Sequence, residues 1–123
     1  MTEAEIIEVV AILGANSFSI FSVYLSITFA YLTVAYFIGA ALKPVQVWVA
    51  SGLYVASAGV STIACVGTTE AWVELIANQP TMLNTLGIYS VHIWDVYMAI
   101  LMALGMVVSL YFMYEIRKRT ATQ

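Results

Sequence analysis

The chain has 123 residues, of which 63% are hydrophobic and only 9% charged, with four basic and seven acidic side chains and a net charge of −3. So few charges cannot enclose an apolar core of this size in water, which excludes an ordinary soluble domain and puts lipid on the outside. They also exclude a nucleic-acid surface, because Lys43, Arg117, Lys118 and Arg119 are the only cations available to track phosphates.

Three stretches, 9–42, 44–69 and 96–114, contain no charged side chain. A hydrocarbon core of roughly 30 Å takes about 20 helical residues. The expectation is therefore an all-α membrane protein whose single integral domain covers 1–123. Its spans are predicted at about 12–42, 45–66 and 90–114, with a short interfacial amphipathic helix at 70–77 between the second and third.

The opening Met1-Thr2-Glu3-Ala4-Glu5 lacks the positive region and cleavage pattern of a secretory signal and is expected to be retained. Thr2 followed by Glu5 is a capping-box pattern that starts a helix at about residue 3. Ile6, Val9, Val10 and Leu13 then share one face, with Glu5 and Glu8 on another. An unbroken helix from 9 to 42 is about 50 Å long at 1.5 Å per residue, so it must tilt, project or break. Projection of its N-terminal part is expected, and Gly14-Ala15-Asn16-Ser17 is the place for a kink. Along the wheel this span carries two polar stripes: Ser19, Ser22, Ser26, Thr33 and Tyr36 on one side, Ser17, Tyr24, Thr28 and Tyr31 nearly opposite. A lone three-helix bundle covers only one of them. The hydroxyls Ser17, Tyr24, Thr28, Tyr31, Ser22 and Ser26 are therefore candidates for a polar interface or a pathway.

Lys43-Pro44 is the sole punctuation before the second span, and proline suits a first helical turn, so a tight antiparallel hairpin is predicted. The second span should end near Val66, with Gly67 in the left-handed conformation that terminates helices and Thr68 or Thr69 capping the next. In the segment that follows, Trp72, Leu75 and Ile76 share one face and Glu70 and Glu74 another, the pattern of a helix lying at the interface. Cys65 stands alone, which rules out an intrachain disulfide, and reads as a small buried hydrophobe.

The third span runs from about Tyr89-Ser90 to Tyr114, with Glu115 and Arg119 as an ion pair one turn apart. Lys43 and the Arg117-Lys118-Arg119 cluster fall on one side of a three-span path. The positive-inside rule then places the N-terminus outside and the C-terminus in the cytoplasm of a bacterial inner membrane. Trp48 at the inner end, with Trp72 and Trp94 at the outer, suits aromatic belts.

Helices in lipid associate through close packing and hydrogen bonds, so small residues mark contact faces. Gly52, Ala56 and Gly59 on the second span, and Ala99, Ala103, Gly105 and Ser109 on the third, are the candidates, meeting each other or copies of themselves. The chemically richest cluster is Tyr89, His92, Trp94, Asp95 and Tyr97. His92 and Asp95, one turn apart, form a candidate mouth for protons or cations, or a headgroup-level ion pair. No ligand spacing for a metal is present, no cofactor is expected, and Met98, Met102 and Met106 read as packing.

In size and span number the chain resembles prokaryotic diacylglycerol kinase, but the acidic and asparagine residues of that family's catalytic motif have no counterpart on its spans. Glu8, near the start of the first span, is similar to the glutamate of small multidrug transporters, which have four spans and place it deeper. Neither resemblance implies a function here. Nucleophile motifs, phosphate loops and internal repeats are absent. The expected role is structural or accessory more readily than enzymatic, in a homo-oligomer or as a subunit of a larger membrane complex. The alternatives are a homo-oligomeric channel or transporter with a Ser/Thr/Tyr-lined pathway on the first span, and an enzyme or redox subunit binding a quinone or lipid near His92.

Overall fold

The computed structural model describes residues 2–79 and 92–122, and within them the chain forms three long helices: α1 (Glu3–Ile38), α2 (Pro44–Ala77) and α3 (His92–Ala121). The expected start of the third span at Tyr89-Ser90 lies outside the described residues. α1 begins as its capping pattern predicts. The Thr2 hydroxyl accepts from the Glu5 N–H at 3.4 Å, and the Glu5 carboxylate accepts from the Thr2 N–H at 2.7 Å, so two donors that a helix start leaves without intrahelical partners are satisfied. The helix then continues through Gly14 for 36 residues, about 54 Å at 1.5 Å per residue. The break considered at Gly14-Ala15-Asn16-Ser17 does not occur. A Cβ on Gly14 would stand 3.7 Å from the Trp72 indole nitrogen, so this glycine belongs to a packed face.

α1 stops at Ile38, short of the expected limit at 42. The Gly39 N–H reaches the Ala35 carbonyl at 3.1 Å, and the N–H groups of Ala41 and Leu42 both turn back onto the Ile38 carbonyl. Pro44 then occupies the first turn of α2, and the Gln46 side chain accepts from the Lys43 N–H at 2.9 Å. This is the predicted hairpin, built from local signals alone.

The second helix corrects the sequence expectation. α2 runs 34 residues without interruption through Gly67 to Ala77, so it does not end at Val66 and residues 70–77 are its last two turns, not a separate helix. The hydroxyls of Thr68 and Thr69, expected to cap a new helix, donate back to the carbonyls of Ala64 and Cys65 at 2.8 Å each. Breaking at Gly67 would release backbone groups that apolar surroundings cannot satisfy, a larger cost than the roughly 1 kcal/mol a glycine imposes on a helix interior. The apolar face expected to lie on headgroups is instead covered by protein: Val73 and Ile76 are buried, with Val10 of α1 and Trp72 packed against them. Nothing stands within 4 Å of a Cβ built on Gly67. Gly67→Ala should therefore stabilise the chain by about 0.5–1 kcal/mol in thermal unfolding; a loss of stability would show that the glycine serves a helix end.

α2 lies antiparallel to α1, and α3 packs on both. The core they share holds Tyr24, Tyr31, Ala35, Tyr54, Ala58, Cys65, Met102 and Met113, with Met98 and Met106 half-buried against it. The methionine stripe of α3 thus fills the core. The outside is apolar: Phe18 is 73% exposed, Phe37 75%, Ile63 75% and Trp48 80%. All three helices are long and apolar enough to cross a membrane, and a surface of this kind is tolerable only against lipid or protein.

Charge is segregated along the bundle. Glu3, Glu5, Glu8, Glu70, Glu74 and Asp95 stand at the end where α1 starts, α2 finishes and α3 starts. All four basic side chains, with Glu115, stand at the opposite end.

Candidate functional site

The four hydroxyls of one α1 stripe converge on the bundle interior, and each finds a partner on another helix. Ser17 meets Thr69 at 3.2 Å, Thr28 meets the Tyr54 hydroxyl at 3.2 Å, and Tyr31 meets Ser51 at 2.8 Å. Tyr24 donates to the Met102 carbonyl of α3 at 2.6 Å. Tyr31 and Tyr54 also stack, with ring centroids 4.3 Å apart and planes within 9°, a near-parallel arrangement that locks the middle of the α1–α2 contact. The ladder is completed by Cys65, whose thiol points at the Ser17 carbonyl at 3.8 Å. Among the described residues no buried side-chain nitrogen or oxygen lacks a hydrogen-bond partner, so this polar seam is internally satisfied.

The remaining two candidates on α1, Ser22 and Ser26, are exposed on the outer surface. Ser26 donates to the Ser22 carbonyl at 2.9 Å, and Thr33 does the same to Phe29 at 2.7 Å, so these two hydroxyls of the second stripe are satisfied within their own helix. The structure therefore divides the six hydroxyls into four that bind the bundle and two that face outward.

The small residues divide in the same way. On α3, Ser109 is buried, donating to the Gly105 carbonyl at 2.7 Å, and Ala99 and Gly105 are half-buried. A Cβ on Gly105 would collide with the Tyr24 hydroxyl oxygen; this glycine admits Tyr24 to the Met102 carbonyl. Ala103 is exposed. On α2, Gly52 and Ala56 are exposed and Gly59 half-buried, and nothing lies within 4 Å of a Cβ built on either glycine. The small face of α2 is turned away from α1 and α3.

Asp95 lies in the first turn of α3, where the helix dipole favours a carboxylate, and its side chain accepts from the Val96 N–H at 2.8 Å. The His92 side chain, and with it the expected pairing with Asp95, lies outside the described residues. Near this end, a cavity of about 240 Å³ opens between the helices, bordered by Gly14, Ser17, Phe18, Thr69, Trp72, Trp94 and Met98. Among the described residues no three His, Cys, Asp or Glu side chains stand close enough to share a metal ion.

Sequence reasoning missed the residues that answer α1. Ser51 and Tyr54 are one turn apart on α2, a spacing that marks one face, but nothing in the sequence pairs that face with Thr28 and Tyr31. It also missed a clamp at the basic end. Arg117 of α3 donates from one guanidinium nitrogen to the carbonyls of Gly39 and Leu42, at 3.0 and 2.8 Å. α1 has no basic residue in its own last turn, and that lack is the signal that a cation must arrive from elsewhere. The Glu115–Arg119 pair forms as predicted, at 3.1 Å, on the exposed surface.

Fold and site together define a class: a bundle of three helices, each long and apolar enough to cross a membrane, closed by an internal seam of hydroxyl groups. Within that class no family model, no curated protein and no solved structure matches the chain.

Proposed function

We propose that the chain is a small integral membrane protein of structural or accessory type, assembling with copies of itself or with other subunits of a membrane complex in a bacterial inner membrane. Its N-terminus faces outward and its C-terminus the cytoplasm. The observation that carries this reading is the division of polar and small groups. The inward hydroxyls are all engaged in holding one bundle together, which leaves none of them free to line a path through it. Small residues Gly52, Ala56 and Ala103 meanwhile lie on the outside, where only another helix gives them close contacts. The segregated charge supports the orientation, with every cation at the inner end. Trp48 at that end and Trp94 at the other then sit at headgroup level, as do the last turns of α2.

The test is the mass of the assembly in native nanodiscs. A leucine at Ala56 or Ala103 adds bulk to an outward face and leaves the core untouched, so the bundle stays folded while contact between chains is overpacked by about 1–3 kcal/mol. Native mass spectrometry should show the assembled species giving way to the single chain in Ala56→Leu and Ala103→Leu. Unchanged mass in both would remove these faces from any interface.

A further inference from the structure

The clamp at the basic end leaves a second edge of the same guanidinium unused. Arg117 spends one terminal nitrogen on the Gly39 and Leu42 carbonyls, and its Nε and other terminal nitrogen have no partner among the described residues. That free edge carries the parallel N–H pair with which arginine grips a phosphate or carboxylate. The clamp fixes where it lies, because the side chain is tied at two points to the α1–α2 turn. Lys43 is the very next residue after the Leu42 carbonyl in that turn, and Lys118 follows Arg117 on α3; both are exposed. The one acidic side chain at this end among the described residues, Glu115, is already paired with Arg119. The other acidic residues stand toward the far ends of the helices; the nearest of them along its helix, Asp95, is about 33 Å from Arg117 at 1.5 Å per residue, far beyond a screening length of about 8 Å. Among the described residues the basic end is therefore a cationic corner with no acidic side chain left to balance Lys43, Lys118 and the open edge of Arg117.

We propose that this corner binds the phosphate of an anionic phospholipid, with Arg117 as the bidentate contact and Lys43 and Lys118 as flanking charges. The inference rests on the reading of the chain as membrane-spanning, which puts the corner at headgroup depth, at the end of the bundle where Trp48 is exposed in the first turns of α2. A lipid is favoured over a free anion because Trp48, Phe37 and Tyr114 are all exposed near this end and give an acyl chain an apolar surface to follow.

The experiment exchanges the purified chain into nanodiscs of phosphatidylcholine doped with phosphatidylglycerol and counts retained lipids by native mass spectrometry. Incorporation into the disc, resistant to alkaline extraction, is scored first and reports the membrane reading by itself. For the wild-type chain, phosphatidylglycerol should be retained in preference to phosphatidylcholine, and the preference should shrink as salt is raised. Each basic residue near an anionic surface contributes about 1 kcal/mol, about fivefold in affinity. Lys43→Gln should lower the preference by about fivefold, and so should Lys118→Gln; neither side chain makes a hydrogen bond that the fold needs. Glu70→Gln with Glu74→Gln, at the opposite end, should leave it unchanged. Incorporation with equal retention of the two lipids, or a preference indifferent to both lysines, would overturn the site. Full displacement of the lipid by millimolar inorganic phosphate would likewise overturn it, showing a site for the free anion.

Discussion

Gly105→Ala lowers the stability of the bundle by about 1–3 kcal/mol, and adding Tyr24→Phe to it restores most of that loss. The alanine methyl would occupy the place of the Tyr24 hydroxyl oxygen, so either the tyrosine gives up its 2.6 Å bond to the Met102 carbonyl or α1 and α3 move apart. The first costs a buried hydrogen bond and leaves a phenol without a partner; the second loosens the packing around Met102, which is fully buried. Overpacking and an unsatisfied buried hydroxyl each cost about 1–3 kcal/mol. Tyr24→Phe alone should cost less, about 0.5–1.5 kcal/mol, because the Met102 carbonyl keeps its helical partner and interhelical hydrogen bonds in membranes are modest. In the double variant the colliding oxygen is gone, and the nearest ring carbon stands at 3.4 Å from the new methyl, within ordinary contact. A denaturant or thermal series on the four proteins gives the coupling directly. Additive losses would mean that Gly105 and Tyr24 do not meet.

The contrast between Gly105 and Gly52 shows where sequence reading reached its limit. Both sit in small-residue patterns on apolar helices, and both were legible as contact candidates, yet one receives a side chain from α1 and the other faces outward. Periodicity places a residue on a face without saying which neighbour that face meets. The two hydroxyl stripes of α1 pose the same problem. That one of them must turn outward follows from the geometry of three helices, but the choice depends on Ser51, Tyr54 and Thr69 of α2, whose register is set by the hairpin as a whole.

Signals contained within a few residues were read correctly. Thr2 with Glu5, Lys43 with Pro44, and Glu115 with Arg119 each lie within one helical turn of each other, and each appears as expected. Gly67 misled for a physical reason: glycine ends helices where water can accept the freed carbonyls. Here Ile63 and Val60 nearby are strongly exposed on an apolar surface, and Val73 and Ile76 beyond the glycine have a packed face on α1 to reach. Tertiary contact overrode the local preference.

Arg117→Ala should lower stability by about 2 kcal/mol, with the loss concentrated where α3 meets the α1–α2 turn. Its two bonds are charge-assisted and run to carbonyls at a helix end that have no intrahelical donor. Bonds of this type are worth about 1.5–3 kcal/mol each when buried, and the half-exposed position of the side chain reduces them through solvent screening. Removing the guanidinium also leaves the negative end of the α1 dipole unopposed. The comparison that isolates the clamp is Arg119→Ala. That change removes a cation two residues away whose side chain, among the described residues, makes an exposed pair with Glu115 and no other, worth under about 1 kcal/mol. Measured in zwitterionic detergent, where no anionic headgroup is present to be lost, Arg117→Ala should speed amide exchange in 39–43 and in the last turns of α3 and leave the Thr28–Tyr54 region protected. Equal effects of the two alanines would show that charge at this end matters and the carbonyl bonds do not. A clear excess for Arg117 would establish that its bonds to the Gly39 and Leu42 carbonyls close the bundle at the basic end.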